Sequence, residues 1–244
     1  MVADRLPDAA EVESLNAEFA NADPASTLRW ALSRFNDRVA IGTSFQASGL
    51  VILHHAHVHH LPLRCFTIDT GLLFPETIAL RDRVTNYFGI EIEVLRPELS
   101  LGDQARDFGP ELWARRPDTC CTVRKVIPLQ AHLLTLDGWV TGLRRDQSAA
   151  RQRVQRFELY RFDPVRDKSI LKINPLADWS RDRVWAYVRE HEIPFNPLAQ
   201  RGFQSIGCQP CTRPVGDHEG ERAGRWTGFE KTECGIHTFM EAHV

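Results

Sequence analysis

Neither sign of charge dominates this chain of 244 residues, because 30 Lys and Arg stand against 32 Asp and Glu and leave a formal net charge of −2. Such a balance gives no overall field that would recruit nucleic acid or an anionic membrane, so an anion site has to be local. Long apolar runs are also missing. None approaches the ~20 residues that span a bilayer, and the N-terminal segment has neither the basic start nor the apolar stretch of a secretory signal. The sequence therefore predicts a cytoplasmic protein with neither nucleic acid nor a membrane as a partner.

Only six cysteines occur, and four of them form two close pairs, Cys120-Cys121 and Cys208-x-x-Cys211. Without a secretory signal, cysteines are more often reduced, metal-binding or catalytic than disulfide-bonded. Four thiolates are suitable ligands for zinc or for an iron–sulfur cluster. Adjacent cysteines are awkward for a zinc site, whose ligands usually stand two to four residues apart, so the spacing favours a cluster and leaves zinc open.

The other two cysteines differ in setting. Cys234 lies in the sequence KTECGIH, near Lys231 and His237. Nearby cations lower the pKa of a thiol, and the thiolate is its nucleophilic form, so Cys234 is a candidate nucleophile, with an incidental thiol as the alternative. Cys65 lies inside an apolar strand pattern and is expected to be a buried small hydrophobe.

The histidine-rich run HHAHVHH at 54–60 suggests a metal site at first sight. On a helix, His55 and His59 would share one face. No nearby carboxylate or further ligand completes a set, so we expect no functional metal there.

Apolar runs and turn residues alternate as in an α/β fold. Strands are predicted at 38–43, 63–69, 90–95, 138–143, 153–160 and 170–173, and helices at 8–20, 24–35, 50–60, 75–88, 122–136 and 178–192. Helices between strands predict a mostly parallel twisted sheet flanked by helices. From residue 193 the composition shifts to Pro, Gly and charged residues without clear periodicity. A segment of this kind is either disordered or held by a metal centre or a ligand. We therefore divide the chain into an N-terminal helical segment (1–37), an α/β nucleotide-binding domain (38–192) and an irregular C-terminal segment (193–244) that carries the CxxC pair and Cys234.

Small and basic residues mark a candidate anion site. The loop 44–49 (SFQASG) follows the first predicted strand and offers backbone N–H groups at a helix N-terminus, although it matches neither the Walker A nor the GxGxxG pattern. Basic residues recur beside small ones at 124–125, 144–145, 151, 222 and 225. Because Arg binds phosphate and sulfate oxygens through two parallel hydrogen bonds, these clusters indicate a focused polyanion site.

Seven motifs occur in a characteristic order over residues 38–237: SFQASG, IDTGLLFPET, CCTVRKVIPL, GLRRDQSAAR, GCQPCTRPV, RAGRW and KTECGIH. In this order they resemble the phosphosulfate reductases of sulfate assimilation, specifically the iron–sulfur adenylyl-sulfate reductase type. The resemblance implies an adenine-nucleotide α-hydrolase-like fold. It also implies thioredoxin-dependent reduction of adenosine 5'-phosphosulfate (APS) to sulfite and AMP in cysteine biosynthesis, with thioredoxin or glutaredoxin as the thiol donor. The oligomeric state stays open, with a homo-oligomer as one option.

The resemblance also assigns residues. Cys120, Cys121, Cys208 and Cys211 match the ligands of a 4Fe-4S cluster, and Cys234 matches a nucleophile that attacks the sulfur of APS and forms an S-sulfocysteine. The substrate-binding positions are Ser44, Phe45, Gln46, Ile68, Asp69, Thr70, Gly71, Arg124, Lys125, Gly142, Arg151, Arg222 and Arg225. Since a thiol nucleophile and a thioredoxin already account for two electrons, we expect the cluster not to transfer electrons.

Three alternatives accompany this hypothesis. The 3'-phosphorylated substrate (PAPS), or both substrates, would fit the same fold, although relatives that use PAPS typically lack the four cluster cysteines. The loop SFQASG has Ser48 and Gly49 where many members of the reductase family have an acidic side chain. A tRNA-thiolation or ATP-pyrophosphatase enzyme would need a Ser-Gly-Gly-x-Asp-Ser loop, which SFQASG is not. A non-enzymatic iron–sulfur or zinc binding module is the third alternative.

Overall fold

The computed structural model describes residues 5–216, 218–231, 233 and 235–237. The helices are α1 (Ala9–Glu18), α2 (Pro24–Phe35), α3 (Ala47–Val58), α4 (Pro75–Phe88), α5 (Leu101–Phe108), α6 (Leu112–Arg115), α7 (Pro117–Cys121), α8 (Ile127–Leu133) and α9 (Arg181–Glu190). The strands are β1 (Val39–Gly42), β2 (Arg64–Ile68), β3 (Ile92–Leu95), β4 (Gly138–Val140), β5 (Phe157–Asp163) and β6 (Lys168–Ile173).

The strands form one sheet of six in the order β3-β2-β1-β4-β6-β5. All neighbours run parallel except β5 and β6, which form an antiparallel hairpin at one edge. The chain passes outward from β1 through β2 to β3 and then returns to place β4 on the other side of β1. The order of the strands therefore reverses between β1 and β4, the point where α/β sheets bind ligands. The predicted fold, a mostly parallel sheet flanked by helices, is confirmed.

Local sequence signals account for most helix ends. The Asp23 carboxylate accepts a hydrogen bond of 2.9 Å from the backbone N–H of Ser26, with Pro24 at the first helical position of α2. Gly89 ends α4 in the left-handed conformation, φ 62°. The last helix starts later than predicted, because Ser180 is the residue that caps α9. Asp178, the predicted start, pairs with arginines instead.

The predicted helix 122–136 is divided in two. Between α7 and α8 the backbone makes a π-helical turn at Thr122–Val126, immediately after the cysteine pair. Such turns occur mostly as single inserts at functional sites, because the wider turn changes the direction in which its side chains point. Helices α5, α6 and α7 were not predicted, and β5 begins four residues later than expected.

The main core lies between the sheet and helices α1, α2, α3, α4 and α9. Leu28, Leu50 and Ile52 are fully buried there and pack with Ile41 of β1 and Leu171 of β6. A second cluster on the other face of the sheet centres on Leu129 and Leu133 of α8. Burial of this apolar surface is the main force that holds the sheet and the helices together.

The C-terminal segment is attached to the sheet domain through backbone contacts. The N–H of Gln209 donates to the carbonyl of Leu72 at 2.7 Å, and Leu73 bridges Cys208. The division of the chain into three segments stays a prediction. In the part of the chain that is described, no helix is both long and apolar enough to cross a membrane.

Candidate active site

A deep pocket of about 220 Å³ opens where β1, β2 and β4 end. Its size is several times the roughly 30 Å³ that one water molecule occupies in the liquid, so it can hold an organic ligand. Loop 43–49 after β1 and loop 141–144 after β4 form its two sides, and the C-terminal segment covers it. The pocket thus lies where the strand order reverses, as expected for a nucleotide site.

The first loop presents backbone donors to this pocket. The N–H of Phe45 is used within the loop, where it donates to Thr43 Oγ1 at 3.0 Å, and Phe45 itself has a φ of 57°, which is rare for a bulky side chain. Strained backbone of this kind is concentrated at functional sites. Gln46 caps α3 without a side-chain hydrogen bond to the helix, so first-turn N–H groups beside the pocket remain available to an anion.

The second loop approaches the first closely. A Cβ on Gly142 would lie 3.1 Å from the Cβ of Ser48, so only glycine fits this position without displacement. Arg144, although buried, donates to Ser48 Oγ at 2.5 Å and to Glu221 at 3.2 Å. Burial raises the pKa of the Glu221 carboxyl.

Basic side chains surround the other end of the pocket. Lys125, Arg151, Arg222 and Arg225 all line it. Arg225 is 8% exposed, its guanidinium carbon lies 4.4 Å from the centre of the Trp226 ring, and its buried Nε has no hydrogen-bond partner among the described residues. A buried guanidinium with unused donors is suited to binding an oxyanion.

The four cysteines of the two pairs meet at one small cavity beside this pocket, which they line with Leu72, Trp113, Pro117, Arg124 and Lys125. Cys208 and Lys125 line both the pocket and this cavity. Burial, strengthened by the other thiols, raises the pKa of Cys120 to about 12, and burial raises that of Cys211 to about 11.

Arg124 lines the cysteine cavity, and hydrogen bonds to other segments hold its guanidinium in place. Its Nε donates to the carbonyl of Thr70 at 2.5 Å, and its Nη1 donates to Gln104 Oε1 at 3.1 Å. Burial lowers the pKa of this guanidinium. Arg124 therefore joins the loop after β2 to the π-helical turn.

Most of the predicted substrate-binding residues come together. Those that line the pocket are Ser44, Phe45, Gln46, Ile68, Thr70, Lys125, Gly142, Arg151, Arg222 and Arg225. Three do not line it. The Asp69 carboxylate accepts from the N–H of Gly71 at 3.0 Å and lies 3.7 Å from Arg96, while Arg124 faces the cysteine cavity. Cys234, the predicted nucleophile, lies outside the described residues.

The pocket also contains residues that the sequence did not point to. Trp139 and Glu221 line it. His237 and Arg144 line it as well, and the sequence had marked them only as a neighbour of Cys234 and as part of a basic run. The His237 ring stacks on Trp139 with ring centres 5.1 Å apart. Trp139 follows a glycine in a predicted strand, and this sequence context does not distinguish a tryptophan that lines a pocket from one that packs in the core.

The histidine run forms part of the packing between α3 and α9. His54 Nδ1 lies 2.9 Å from the Tyr187 hydroxyl, and the His55 ring stacks on Tyr187. Burial and neighbouring histidines lower the pKa of both His54 and His55 to about 4. Among the described residues no group of three or more His, Cys, Asp or Glu is arranged to hold a metal ion. His54 and His55 therefore act as aromatic packing residues against Tyr187.

The sheet order, the pocket at its reversal point and the uncapped start of α3 define an adenine-nucleotide α-hydrolase-like domain. Residues 38–214 match the family model described as phosphoadenosine phosphosulfate reductase domain. The chain therefore belongs to this reductase family, an oxidoreductase family, and the resemblance seen in the sequence is confirmed.

Individual relatives agree. The chain is 42% identical, over 93% of its length and 89% of the other protein, to the adenosine 5'-phosphosulfate reductase of Salinibacter ruber. It is 38% identical, over 94% of its length and 95% of the other protein, to the phosphoadenosine 5'-phosphosulfate reductase of Gloeobacter violaceus. Among solved structures, the PAPS reductase from Candida auris in its phosphate complex superposes with a TM-score of 0.74. It is 28% identical and covers 86% of this chain and 99% of its own.

Proposed function

We propose that the protein reduces APS to sulfite and AMP, with a thioredoxin or glutaredoxin as the thiol donor and Cys234 as the nucleophile. The observation that carries this proposal is the junction of two cavities, a basic nucleotide-sized pocket and a four-cysteine cavity, through Cys208 and Lys125. The names of the relatives support the same substrate class.

The loops assign roles within the pocket. Adenosine would lie between loop 43–49 and Gly142, where N–H groups and small residues allow the backbone to approach it. The phosphosulfate would lie toward Lys125 and Arg225, whose positive charge stabilises the negative charge that develops on the departing phosphate. Arg151 and Arg222 line the same end and complete the anion site.

The chemistry balances with one thiol on the enzyme and two on the donor. The Cys234 thiolate attacks the sulfur of APS, the S–O bond to phosphate breaks, and AMP leaves with the electron pair. A donor thiolate then attacks Cys234 Sγ and releases sulfite, and the second donor thiol resolves the mixed disulfide. The donor is oxidised to a disulfide, and the sulfonate sulfur is reduced by two electrons.

The four cysteines fit a 4Fe-4S cluster better than a single ion. In a cluster each thiolate binds a different iron, so the ligands surround a cavity instead of converging on one point. Cys120, Cys121, Cys208 and Cys211 surround a cavity in this way, although no such group is arranged for one metal ion within the described ranges. When bound, a cluster would hold the C-terminal segment against the sheet domain.

Sulfite release tests the proposal. Protein purified without oxygen is incubated with reduced thioredoxin and either APS or PAPS, and Cys234→Ser serves as the inactive control. We expect sulfite from APS, none with Cys234→Ser, and unchanged iron content in that variant. Sulfite from PAPS alone would replace APS as the substrate. Sulfite from neither substrate with the iron content intact would instead support a binding module.

A further inference from the structure

The Glu233 carboxylate of the C-terminal segment accepts hydrogen bonds from two arginines that line the pocket. Glu233 accepts from Arg151 Nε at 2.9 Å and from Arg151 Nη2 at 2.7 Å, and Arg222 Nη2 donates to the same carboxylate at 3.0 Å. The three side chains are only 10% to 13% exposed. This is a desolvated, two-point contact and not a loose surface pair.

The contact uses the donors that an oxyanion substrate needs. A carboxylate, a phosphate and a sulfate all accept the same parallel pair of hydrogen bonds from a guanidinium. In Arg151, Nε and Nη2 bind Glu233, and Nη1 donates to Gln147 Oε1 at 2.5 Å. A phosphosulfate can therefore use this edge of Arg151 only by exchange with the Glu233 carboxylate.

Arg225 is in a different state. Its Nε has no partner within the described part of the chain, and it lies in the same pocket. An oxyanion that binds Arg225 therefore has no hydrogen bond of its Nε to displace. Exchange at Arg151 and Arg222 follows as a second step.

Ile236 and His237 are anchored elsewhere. The Tyr160 hydroxyl donates to the carbonyl of Ile236 at 3.4 Å, and the His237 ring stacks on Trp139. These contacts do not involve the two arginines. Displacement of Glu233 would move the chain on one side of Cys234 while the other side stays anchored to the sheet.

We propose that Glu233 is a positioning residue. Without substrate, its carboxylate accepts the hydrogen bonds from Arg151 and Arg222 that the substrate's oxyanion accepts when it binds. It holds the two arginines until the phosphosulfate displaces it, and this exchange couples substrate binding to the placement of the next residue, Cys234. The inference rests on the proposed function, because it assigns the phosphosulfate to this end of the pocket.

Binding of AMP and of inorganic sulfate to the iron-loaded protein tests the exchange directly. Glu233→Gln keeps the shape of the side chain and removes its competing charge. We expect both ligands to bind about tenfold more tightly, which is the gain expected when Glu233 blocks the site in about nine-tenths of the molecules and the substitution removes this block. Glu233→Asp keeps the charge, and its affinities are expected to stay within about twofold of the unsubstituted protein.

Glu219→Gln is the matched control. Glu219 lies on the same segment and receives two hydrogen bonds from one arginine, Arg213, but neither residue lines the pocket. We expect its ligand affinities to equal those of the unsubstituted protein. Thermal unfolding of each variant shows that it is folded.

Turnover kinetics separate a positioning role of Glu233 from simple repulsion of the anionic substrate. If Glu233 couples binding to placement, Glu233→Gln lowers KM for APS and lowers kcat as well. Unchanged or weaker ligand binding in Glu233→Gln would overturn the inference, because Glu233 would then be a counter-ion that only keeps two arginines oriented. If the unsubstituted protein binds neither AMP nor sulfate, the proposed function fails together with it; if it binds both and only the tightening is absent, this inference alone fails.

Discussion

The Oγ1 atom of Thr70 lies 3.2 Å from the sulfur of Cys208, and this contact joins the loop after β2 to the CxxC pair. Both residues line the nucleotide pocket, and Cys208 also lines the cysteine cavity. The Arg124 guanidinium donates to the carbonyl of the same threonine. The anion pocket and the cysteine cavity therefore share a wall, so a change in one is transmitted to the other through a few direct contacts.

Loss of one cavity cysteine tests the proposed 4Fe-4S cluster. Cys208→Ala is expected to lower iron content to near zero and to abolish visible absorbance, because three thiolates leave one iron without a protein ligand. Cys65→Ala is the control, since Cys65 is buried in β2 away from the cavity and burial raises the pKa of its thiol to about 12. Iron retained at full content in Cys208→Ala would contradict the assignment.

Arg225 should contribute to substrate binding through its unused donors. Arg225→Gln removes the charge, and kcat/KM for APS is expected to fall about 10- to 100-fold, as a charged hydrogen bond of about 1.5–3 kcal/mol implies. Arg213→Gln, which breaks an ion pair outside the pocket, should leave kcat/KM within about twofold of the original value. Equal effects of the two substitutions would show that Arg225 has no special role.

Gly207 should be required for activity and not for folding. A Cβ at this position would overlap Arg225 Nη2, the far end of a long side chain, so we expect Gly207→Ala to displace the guanidinium with little cost to the fold. We expect an unchanged Tm and a loss of kcat/KM similar to that of Arg225→Gln. Gly220→Ala, where nothing lies within 4 Å of the added Cβ, is the matched control. A large fall in Tm for Gly207→Ala would contradict this prediction.

The buried histidines should make stability depend on pH. Burial lowers the pKa of His54 and His55 to about 4, below the value of 6.5 for an exposed histidine. Between those values the unfolded chain binds protons that the folded chain does not. The free energy of unfolding is therefore at its full value above pH 6.5 and falls as the pH drops toward 4.

Urea unfolding at about pH 7.5 and about pH 5 measures this dependence. His55→Leu should reduce it, because both ring nitrogens of His55 are buried with no hydrogen-bond partner in the described ranges. His60→Asn is the control: His60 is exposed, and asparagine tolerates its φ of 52°. The same pH dependence in His55→Leu and in the unsubstituted protein would count against the explanation.

The fold could be predicted from the sequence because its signals are local. Alternating apolar runs predicted all six strands, and residues such as Asp23 and Gly89 marked helix ends. Helices α5, α6 and α7 were missed because they are short, and the π-helical turn has no sequence signature that distinguishes it from an α-helix.

The site could be predicted only in part. Most of the substrate-binding positions assigned from motif order line the pocket, but motif order did not show that Arg124 lines the cysteine cavity or that Glu233 binds Arg151 and Arg222. These relationships depend on contacts between residues far apart in the chain. A carboxylate adjacent to a candidate nucleophile carries no sign in the sequence of which arginines it will meet.

The mass of the peptide that contains Cys234 shows whether this cysteine is the nucleophile. The iron-loaded protein is incubated with APS in the absence of any thiol donor and digested, and its peptides are weighed. We expect this peptide to gain the mass of one SO₃ group, AMP to be released in equal amount, and reduced thioredoxin to remove the added mass. An unmodified Cys234 peptide from protein with its metal centre intact would contradict the proposed nucleophile and the reaction built on it.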